Sequence, residues 1–160
     1  MNNPIRPTDD AARQMARDLL NSARFGALAT LDPETGGPIV TRVAIGTSPT
    51  GAPLSLVSDL SSHTQALRLN PQCSLLVGEP GPKGDPLTHP RLTIQTSASF
   101  INHSDPGFAD LAAHYLKTHP KAQLYISFTD FSFVLFTCQR AFLNGGFGKA
   151  FHLTPADLDQ

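Results

Sequence analysis

Residues 54–77 constrain the fold more than any other part of the chain, because they change pattern three times in quick succession. An apolar run containing Leu54, Leu56 and Val57 leads into the polar segment SDLSSHT. A short stretch of helical character then ends at Asn-Pro, and a second apolar run follows at residues 73–77. Strands are bounded by such turn residues, and proline ends a helix. The pattern therefore predicts strand, polar turn, short helix and strand.

The polar turn of this segment is suited to an anion. It brings hydroxyl and imidazole side chains next to the first amides of the short helix, namely Ser58, Ser62, His63 and Thr64. Unpaired amides and the positive end of the helix dipole favour a phosphate at such a position. The alternative is that Ser61 or Ser62 only caps the helix.

The composition limits the partners that this chain can have. A length of 160 residues predicts one domain, and a net charge of −1 gives no general attraction for nucleic acid or for an acidic membrane surface. The charged fraction of 16% is low beside the roughly 25% of ordinary soluble domains. We therefore expect part of the surface to be covered by a second copy of the chain, in a homodimer.

The cysteines and the apolar segments predict a cytoplasmic location. Cys73 and Cys138 lie in separate apolar runs without metal-binding spacing, which favours reduced core thiols. The opening MNNPIRPTDD lacks the apolar region of a signal peptide, and no run approaches the about 18 apolar residues of a membrane span. We expect a soluble protein without membrane or metal partners.

The remaining patterns predict a mainly β domain with flanking helices, an α+β barrel. Helices are predicted for residues 8–22 and, with Ser104 as the cap, for residues 105–119. Strands are predicted for residues 25–31, 39–45 and 91–101 and within residues 124–138, and a long proline- and glycine-rich loop for residues 78–90. A doubly wound parallel sheet would need helices between most strands, and these are lacking.

One arginine breaks the pattern of its strand. Thr41 and Val43 share one face of the strand predicted at residues 39–45, while Val40, Arg42 and Ala44 share the other. A mid-strand guanidinium is costly to bury unless its charge is paired. Arg42 therefore binds an anion, pairs with an aspartate, or reaches solvent at the strand edge.

The succession of apolar strand, SDLSSHT, helical turn and NPxxSLLV resembles the FMN-binding split-barrel family related to pyridoxamine 5′-phosphate oxidase. The segment GGFGKA at residues 145–150 resembles the heme-utilisation branch of that family. The resemblance extends over about residues 12–153. It implies a six-stranded split β-barrel domain spanning residues 1–160, which forms a homodimer with FMN at the subunit interface and acts on a small molecule.

The resemblance also implies the binding residues. The expected phosphate ligands are Arg42, Ser62, His63 and Thr64. Ser58 and the backbone near Val43 are expected along the ribityl chain and the ring, and Arg91 at the ring edge. Asn144 and Lys149 are expected near the flavin of the partner chain. No catalytic residue is indicated, because flavin chemistry need not use one.

Three functions follow from these observations: an FMN-dependent oxidoreductase, a heme-degrading oxygenase of the same fold, and a non-catalytic FMN carrier. The resemblance implies that heme-degrading relatives carry more chain beyond the GGFG segment, with a histidine for the iron. Here residues 151–160 follow, and their histidine is His152. We therefore expect an FMN protein that does not degrade heme.

Overall fold

A computed structural model of the chain describes residues 3–159 and contains one mixed sheet with helices packed against it. The strands are β1 (Ile5–Arg6), β2 (Phe25–Leu31), β3 (Pro38–Ala44), β4 (Gly46–Thr47), β5 (Pro53–Ser58), β6 (Gln72–Val77), β7 (Arg91–Ile101), β8 (Phe131–Asn144) and β9 (Ala150–Leu153). The α-helices are α1 (Asp10–Ser22), α2 (Ser62–Leu69), α3 (Phe108–Leu116) and α4 (Pro155–Leu158). Two 3₁₀ turns cover Pro86–Thr88 and Pro120–Leu124.

The strands form an open sheet. Their order is β1-β9-β8-β7-β6-β2-β3, and β5 pairs with β8 outside this path while β4 pairs with β5. All pairings are antiparallel except that of β1 with β9. The expectation of a mainly β split barrel with flanking helices is thereby confirmed. Six strands are longer than four residues, as expected. The other three have two to four residues and were not predicted, because strands this short leave no alternating pattern to detect.

The predicted bounds of α3 and of the strand within residues 124–138 were wrong. Helix α3 starts at Phe108 and not at residue 105, because Gly107 has a φ of +90° that no helix continues through. It ends at Leu116, and Pro120 starts a separate 3₁₀ turn that includes Leu124. Strand β8 therefore begins only at Phe131, and it runs on to Asn144 without a break.

The core consists of two groups of buried side chains. The larger lies between α1 and the inner faces of β2, β6, β7 and β8, with Leu28, Leu75 and Ile94 at its centre. The smaller lies between α3 and the pair β5 and β8, where Tyr115 packs edge-on against Phe133. Cys73 and Cys138 are free thiols, the first buried and the second half-buried, and burial raises the pKa of both.

Strand β2 approaches β6 unusually closely at Gly26. A Cβ atom added there would lie 2.7 Å from the carbonyl oxygen of Leu76, so only glycine fits without moving a strand. This contact brings the end of β6 beside β2 and β3, where Arg42 lies. No helix within residues 3–159 has the length and apolar character that crossing a membrane requires.

Candidate functional site

Helix α2 presents unpaired amides at its first turn. Ser61 precedes the helix in an extended conformation, with φ of −80° and ψ of 138°, and its side chain forms no capping hydrogen bond. Within residues 3–159, no acceptor pairs with the amides of Ser62 and His63. Capping therefore does not account for the serines of this turn. The turn retains two free donors and a positive dipole end.

A cleft of about 270 Å³ opens next to this helix start, and we call it the α2 cleft. Its lining comes from β3, β5, the start of α2 and the segment before β8: Arg42, Val43, Ala44, Leu56, Val57, Ser58, Ser61, His63, Tyr125 and Phe131. Four of the residues expected at the site, Arg42, Val43, Ser58 and His63, are thus brought together. The fold does so because β3 and the end of β5, which leads into α2, both line this cleft.

Arg42 is exposed on the outer face of β3, and its guanidinium carbon lies 5.5 Å from the centre of the Phe25 ring. In the described part of the chain it forms neither an ion pair nor a hydrogen bond. The opposite face of β3 carries Val43 into the core. The sequence did not decide whether Arg42 is buried with a partner or exposed at the strand edge. The structure shows that it is exposed. The donors of Arg42 therefore remain available to an anion.

His63 lies half-buried in the α2 cleft, where its Nδ1 atom is 3.1 Å from the hydroxyl oxygen of Thr41. Burial lowers the pKa of His63 below its ordinary value of 6.5. The imidazole is therefore neutral at pH 7. When the Thr41 hydroxyl donates to Nδ1, Nε2 carries a proton and is a donor for a ligand.

The other hydroxyl groups differ in availability. The Ser58 hydroxyl donates to Asp130 Oδ2 at 2.7 Å and accepts from the amide of Leu60 at 3.2 Å, so it is already engaged. Ser62 is exposed at the first position of α2. Thr64 is fully buried, and its hydroxyl has no hydrogen-bond partner among the described residues. The Thr64 side chain therefore lies in the interior and not on the surface of the cleft.

A second and larger cleft, of about 530 Å³, lies along β2, β3 and the end of β6, and we call it the sheet-edge cleft. Its walls are largely apolar, with the exposed side chains of Phe25, Val40, Leu76 and Leu87. Arg42 lines this cleft as well as the α2 cleft. The two clefts therefore share one guanidinium at their border.

Arg91 stands on the other side of the sheet-edge cleft. Its Nη1 atom donates to the carbonyl oxygens of Leu87 at 2.8 Å and of His89 at 3.3 Å. These bonds hold the guanidinium against the loop of residues 78–90, which forms the outer wall of the cleft. Arg91 thus lies in the same cleft as Arg42, as the resemblance implied for a ring-edge residue.

Asn144 and Lys149 belong to the turn between β8 and β9 and line neither cleft in the single chain. The Asn144 side-chain oxygen accepts from the amide of Gly146 at 3.0 Å, which stabilises the turn, while Lys149 is exposed. Asn144 also pairs with Arg91 in the ladder of β7 and β8. The structure therefore does not bring these two side chains to Arg42 within one chain.

Four residues that line the α2 cleft or bond to its lining were not predicted as site residues. Ser61 and Tyr125 line the cleft, Thr41 bonds to His63, and Asp130 bonds to Ser58. Thr41 could have been found, since it alternates with Val43 on the inner face of β3. Tyr125 and Asp130 come from a segment more than fifty residues downstream of α2, and no local pattern connects them to it. No group of three or more His, Cys, Asp or Glu side chains in the described residues is arranged to hold a metal ion.

Comparison with known proteins identifies heme-related relatives. The chain is 35% identical over 121 residues, 74% of its own length, to the chloroplastic non-canonical heme oxygenase HOZ of Arabidopsis thaliana, of which it spans 35%. A heme binding protein from Mycobacterium smegmatis has a structure with a TM-score of 0.83 and 31% identity, over 96% of this chain and 61% of that one. The chain thus spans about a third of the first relative and less than two thirds of the second.

The fold extends to a more distant group. A Clostridium acetobutylicum protein related to general stress protein 26, of the pyridoxinephosphate oxidase family, has a TM-score of 0.71. The similarity covers 94% of this chain and 99% of that one, at 14% identity, which shows the fold alone. These comparisons confirm the resemblance seen in the sequence, both to the pyridoxamine 5′-phosphate oxidase-related family and to its heme-utilisation branch. Residues 7–158 match the family model described as CREG, beta-barrel, so the chain belongs to the CREG beta-barrel family.

Proposed function

We propose that this chain binds FMN, with the phosphate in the α2 cleft and the ring system in the sheet-edge cleft. The observation that carries the proposal is the position of Arg42, which lines both clefts and forms no hydrogen bond or ion pair among the described residues. FMN is an elongated molecule with a charged end and a flat aromatic end. Two adjoining clefts, one with anion donors and one with apolar walls, match that division.

The donors of the α2 cleft fit a phosphate group. The amides of Ser62 and His63 lie at a helix start, and Arg42 supplies a fixed positive charge. Nε2 of His63 is a further donor when the Thr41 hydroxyl donates to Nδ1. Ser62 supports the site through its amide and its exposed hydroxyl. Thr64 supports it indirectly, as a buried side chain under the first turn, and Ser58 does so by holding the turn to Asp130.

The sheet-edge cleft fits the ring system. Phe25, Val40, Leu76 and Leu87 offer apolar surface, and Arg91 lies at the rim. Bound FMN supplies one- and two-electron transfer, and the chain supplies orientation and electrostatics. The residues support an FMN-dependent oxidoreductase acting on a small molecule, with an FMN carrier as the alternative, and they single out no acid or base for catalysis.

The same cleft supports a homodimer. Its apolar side chains are well exposed in the single chain: Val40 is 65% exposed, Leu87 61%, Leu76 45% and Phe25 43%. A contiguous apolar surface of this kind is typical of an interface. A second copy on this face would cover the ring, and its turn between β8 and β9 would offer Asn144 and Lys149 as further contacts.

The first prediction concerns the phosphate. Arg42→Ala should weaken FMN binding by about tenfold or more, since a hydrogen bond to a charged group is worth about 1.5–3 kcal/mol. Riboflavin, which lacks the phosphate, should bind more weakly than FMN and should be little affected by the substitution. Titration followed by flavin fluorescence measures both affinities.

Arg140→Ala is the matched control, because Arg140 is an exposed arginine over another phenylalanine ring, that of Phe142. Equal affinities for FMN and riboflavin would contradict the proposal.

The second prediction concerns His63. Burial keeps the free imidazole neutral, and a phosphate beside it favours the imidazolium, so the pKa of His63 should be higher in the complex than in the free protein. The complex then binds more protons, and FMN affinity should rise as the pH falls through the interval between the two pKa values. FMN titrations of the protein and of His63→Gln over that range separate this effect from titration of the phosphate itself. Parallel pH profiles for the two proteins would refute the assignment.

The third prediction concerns assembly. We expect a homodimer of twice 17.1 kDa with an interface above about 2,000 Å². Val40→Lys should shift the protein towards the monomer, because it places a charge in the apolar face. Leu69→Lys, at a similarly exposed leucine on α2, should leave the dimer intact. Sedimentation with and without FMN tests this, and FMN should favour the dimer. A wild-type monomer at micromolar concentration would exclude the interface.

Heme binding is the second candidate, and the heme-related relatives favour it. An iron needs an axial ligand, and a histidine is the usual one. His63 lies in the α2 cleft, whereas His152 is exposed on β9, with its ring edge-on to Phe142.

The fourth prediction separates the two candidates. Hemin titration should give no sharp Soret band that decays after a reductant is added, and hemin should not displace FMN. The same titration of His63→Ala and His152→Ala identifies an axial ligand. A sharp Soret band that decays after reduction and is lost in one of these variants would place heme first.

A further inference from the structure

The loop of residues 78–90 forms the outer wall of the sheet-edge cleft, and the backbone at its two ends lies close together. Gly78 has a φ of +105°, and a Cβ atom there would lie 2.6 Å from the carbonyl oxygen of Pro90. Asp85 starts the 3₁₀ turn, because its side chain accepts from the amide of Leu87 at 2.9 Å. The loop is exposed to solvent over residues 79–88, so few packing contacts hold it.

His89 bonds across the loop with both ring nitrogens. Nδ1 faces the amide of Gly81 at 3.1 Å, and Nε2 faces the carbonyl oxygen of Lys83 at 2.8 Å. Gly81 lies so close to the ring that a Cβ atom there would be 3.2 Å from Cε1 of His89. One half-buried imidazole thus joins two backbone groups that lie six and eight residues before it.

These two contacts define one protonation state. The Gly81 amide can only donate, so Nδ1 accepts and carries no proton. The Lys83 carbonyl can only accept, so Nε2 carries the proton and donates. The neutral Nε2–H tautomer satisfies both groups. A proton added to Nδ1 would face the N–H of Gly81 and break that hydrogen bond.

We propose that neutral His89 is a positioning residue of the sheet-edge cleft and that its protonation loosens the cleft wall. The link to the cleft is direct, since Leu87 and Pro86 line it and Arg91 donates to the carbonyl oxygens of Leu87 and His89. Opening the bond between Gly81 and His89 removes one of the two ring contacts that hold this loop, and so weakens the support of the apolar wall and of the carbonyl groups that bind Arg91. The proposal rests on the proposed function only in taking this cleft as the cofactor site.

The charges near His89 come from three elements. The loop itself carries Glu79, Lys83 and Asp85, and β7 contributes Arg91. The turn between β8 and β9 packs on the loop where Gly146 approaches the carbonyl oxygen of Thr88, and that turn carries the exposed Lys149. Neither nitrogen of His89 has a carboxylate partner in the described residues, so no ion pair there would compensate the added proton.

Nuclear magnetic resonance of the ligand-free full chain tests the proposal independently of FMN. The ¹⁵N shifts of the His89 ring should show the Nε2–H tautomer at high pH. The amide signals of Gly81, Leu87 and Arg91 should then move with the same midpoint as the His89 ring signals as the pH is lowered. Hydrogen exchange at Gly81, corrected for the intrinsic effect of pH, should become about tenfold faster after protonation.

His89→Gln is the critical variant, because its carboxamide offers an acceptor oxygen and a donor NH2 group but does not titrate. Its loop signals should be independent of pH, while those of His114→Gln, a substitution on α3, should titrate as in the wild type. An Nδ1–H tautomer, loop signals that ignore His89 in the wild type, or an unchanged titration in His89→Gln would each overturn the proposal. The tautomer measurement uses the wild-type chain alone and stands even if the variant fails to fold.

Discussion

The alternation of side chains along β3 determines where Arg42 can lie. Val43 is buried in the core, and so the next position on either side must face outwards. The outward face at residue 42 borders the start of α2 on one side and the edge formed by β2 and β6 on the other. A shift of β3 by one residue would turn the guanidinium into the core and expose Val43. Such a shift is excluded, because burying an unpaired charge is costly. The two clefts therefore share Arg42 as a consequence of strand register.

The α2 cleft combines fixed and adjustable charge. The amides of Ser62 and His63 and the helix dipole provide partial positive charge that does not depend on pH, and Arg42 provides a full charge. His63 is the adjustable group, since burial lowers its pKa in the free chain and an anion beside it would raise it. The opposing charge is Asp130, whose carboxylate accepts from Ser58 and orders the turn before α2. A phosphate in the α2 cleft would therefore be attracted by the two amides, by Arg42 and by His63, and the carboxylate of Asp130 is already bound to the Ser58 hydroxyl.

The sequence alone predicted the strands and helices whose patterns are long. It did not predict a helix start that is set by a single glycine, or site residues that come from a distant segment. Strand β2 and strand β7 were predicted over the observed residues, because their apolar alternation is continuous. The start of α3 was wrong because Gly107, and not Ser104, sets it. At the site, Arg42, Val43, Ser58 and His63 were predicted and share a cleft, whereas Tyr125 and Asp130 depend on the pairing of β5 with β8. The buried position of Thr64 follows from the rotation of α2 on the sheet, which its short sequence does not determine.

The central claim is that a phosphate group binds at the first turn of α2, and amide shifts measured during ligand titration test it most directly. The ¹⁵N-labelled chain is titrated in parallel with FMN and with riboflavin, and the amide signals of Ser62 and His63 are followed. The account predicts large shifts of these two signals with FMN and small ones with riboflavin, while residues lining the sheet-edge cleft shift with both. Equal shifts of Ser62 and His63 with the two ligands, or none with FMN while the sheet-edge cleft responds, would contradict it.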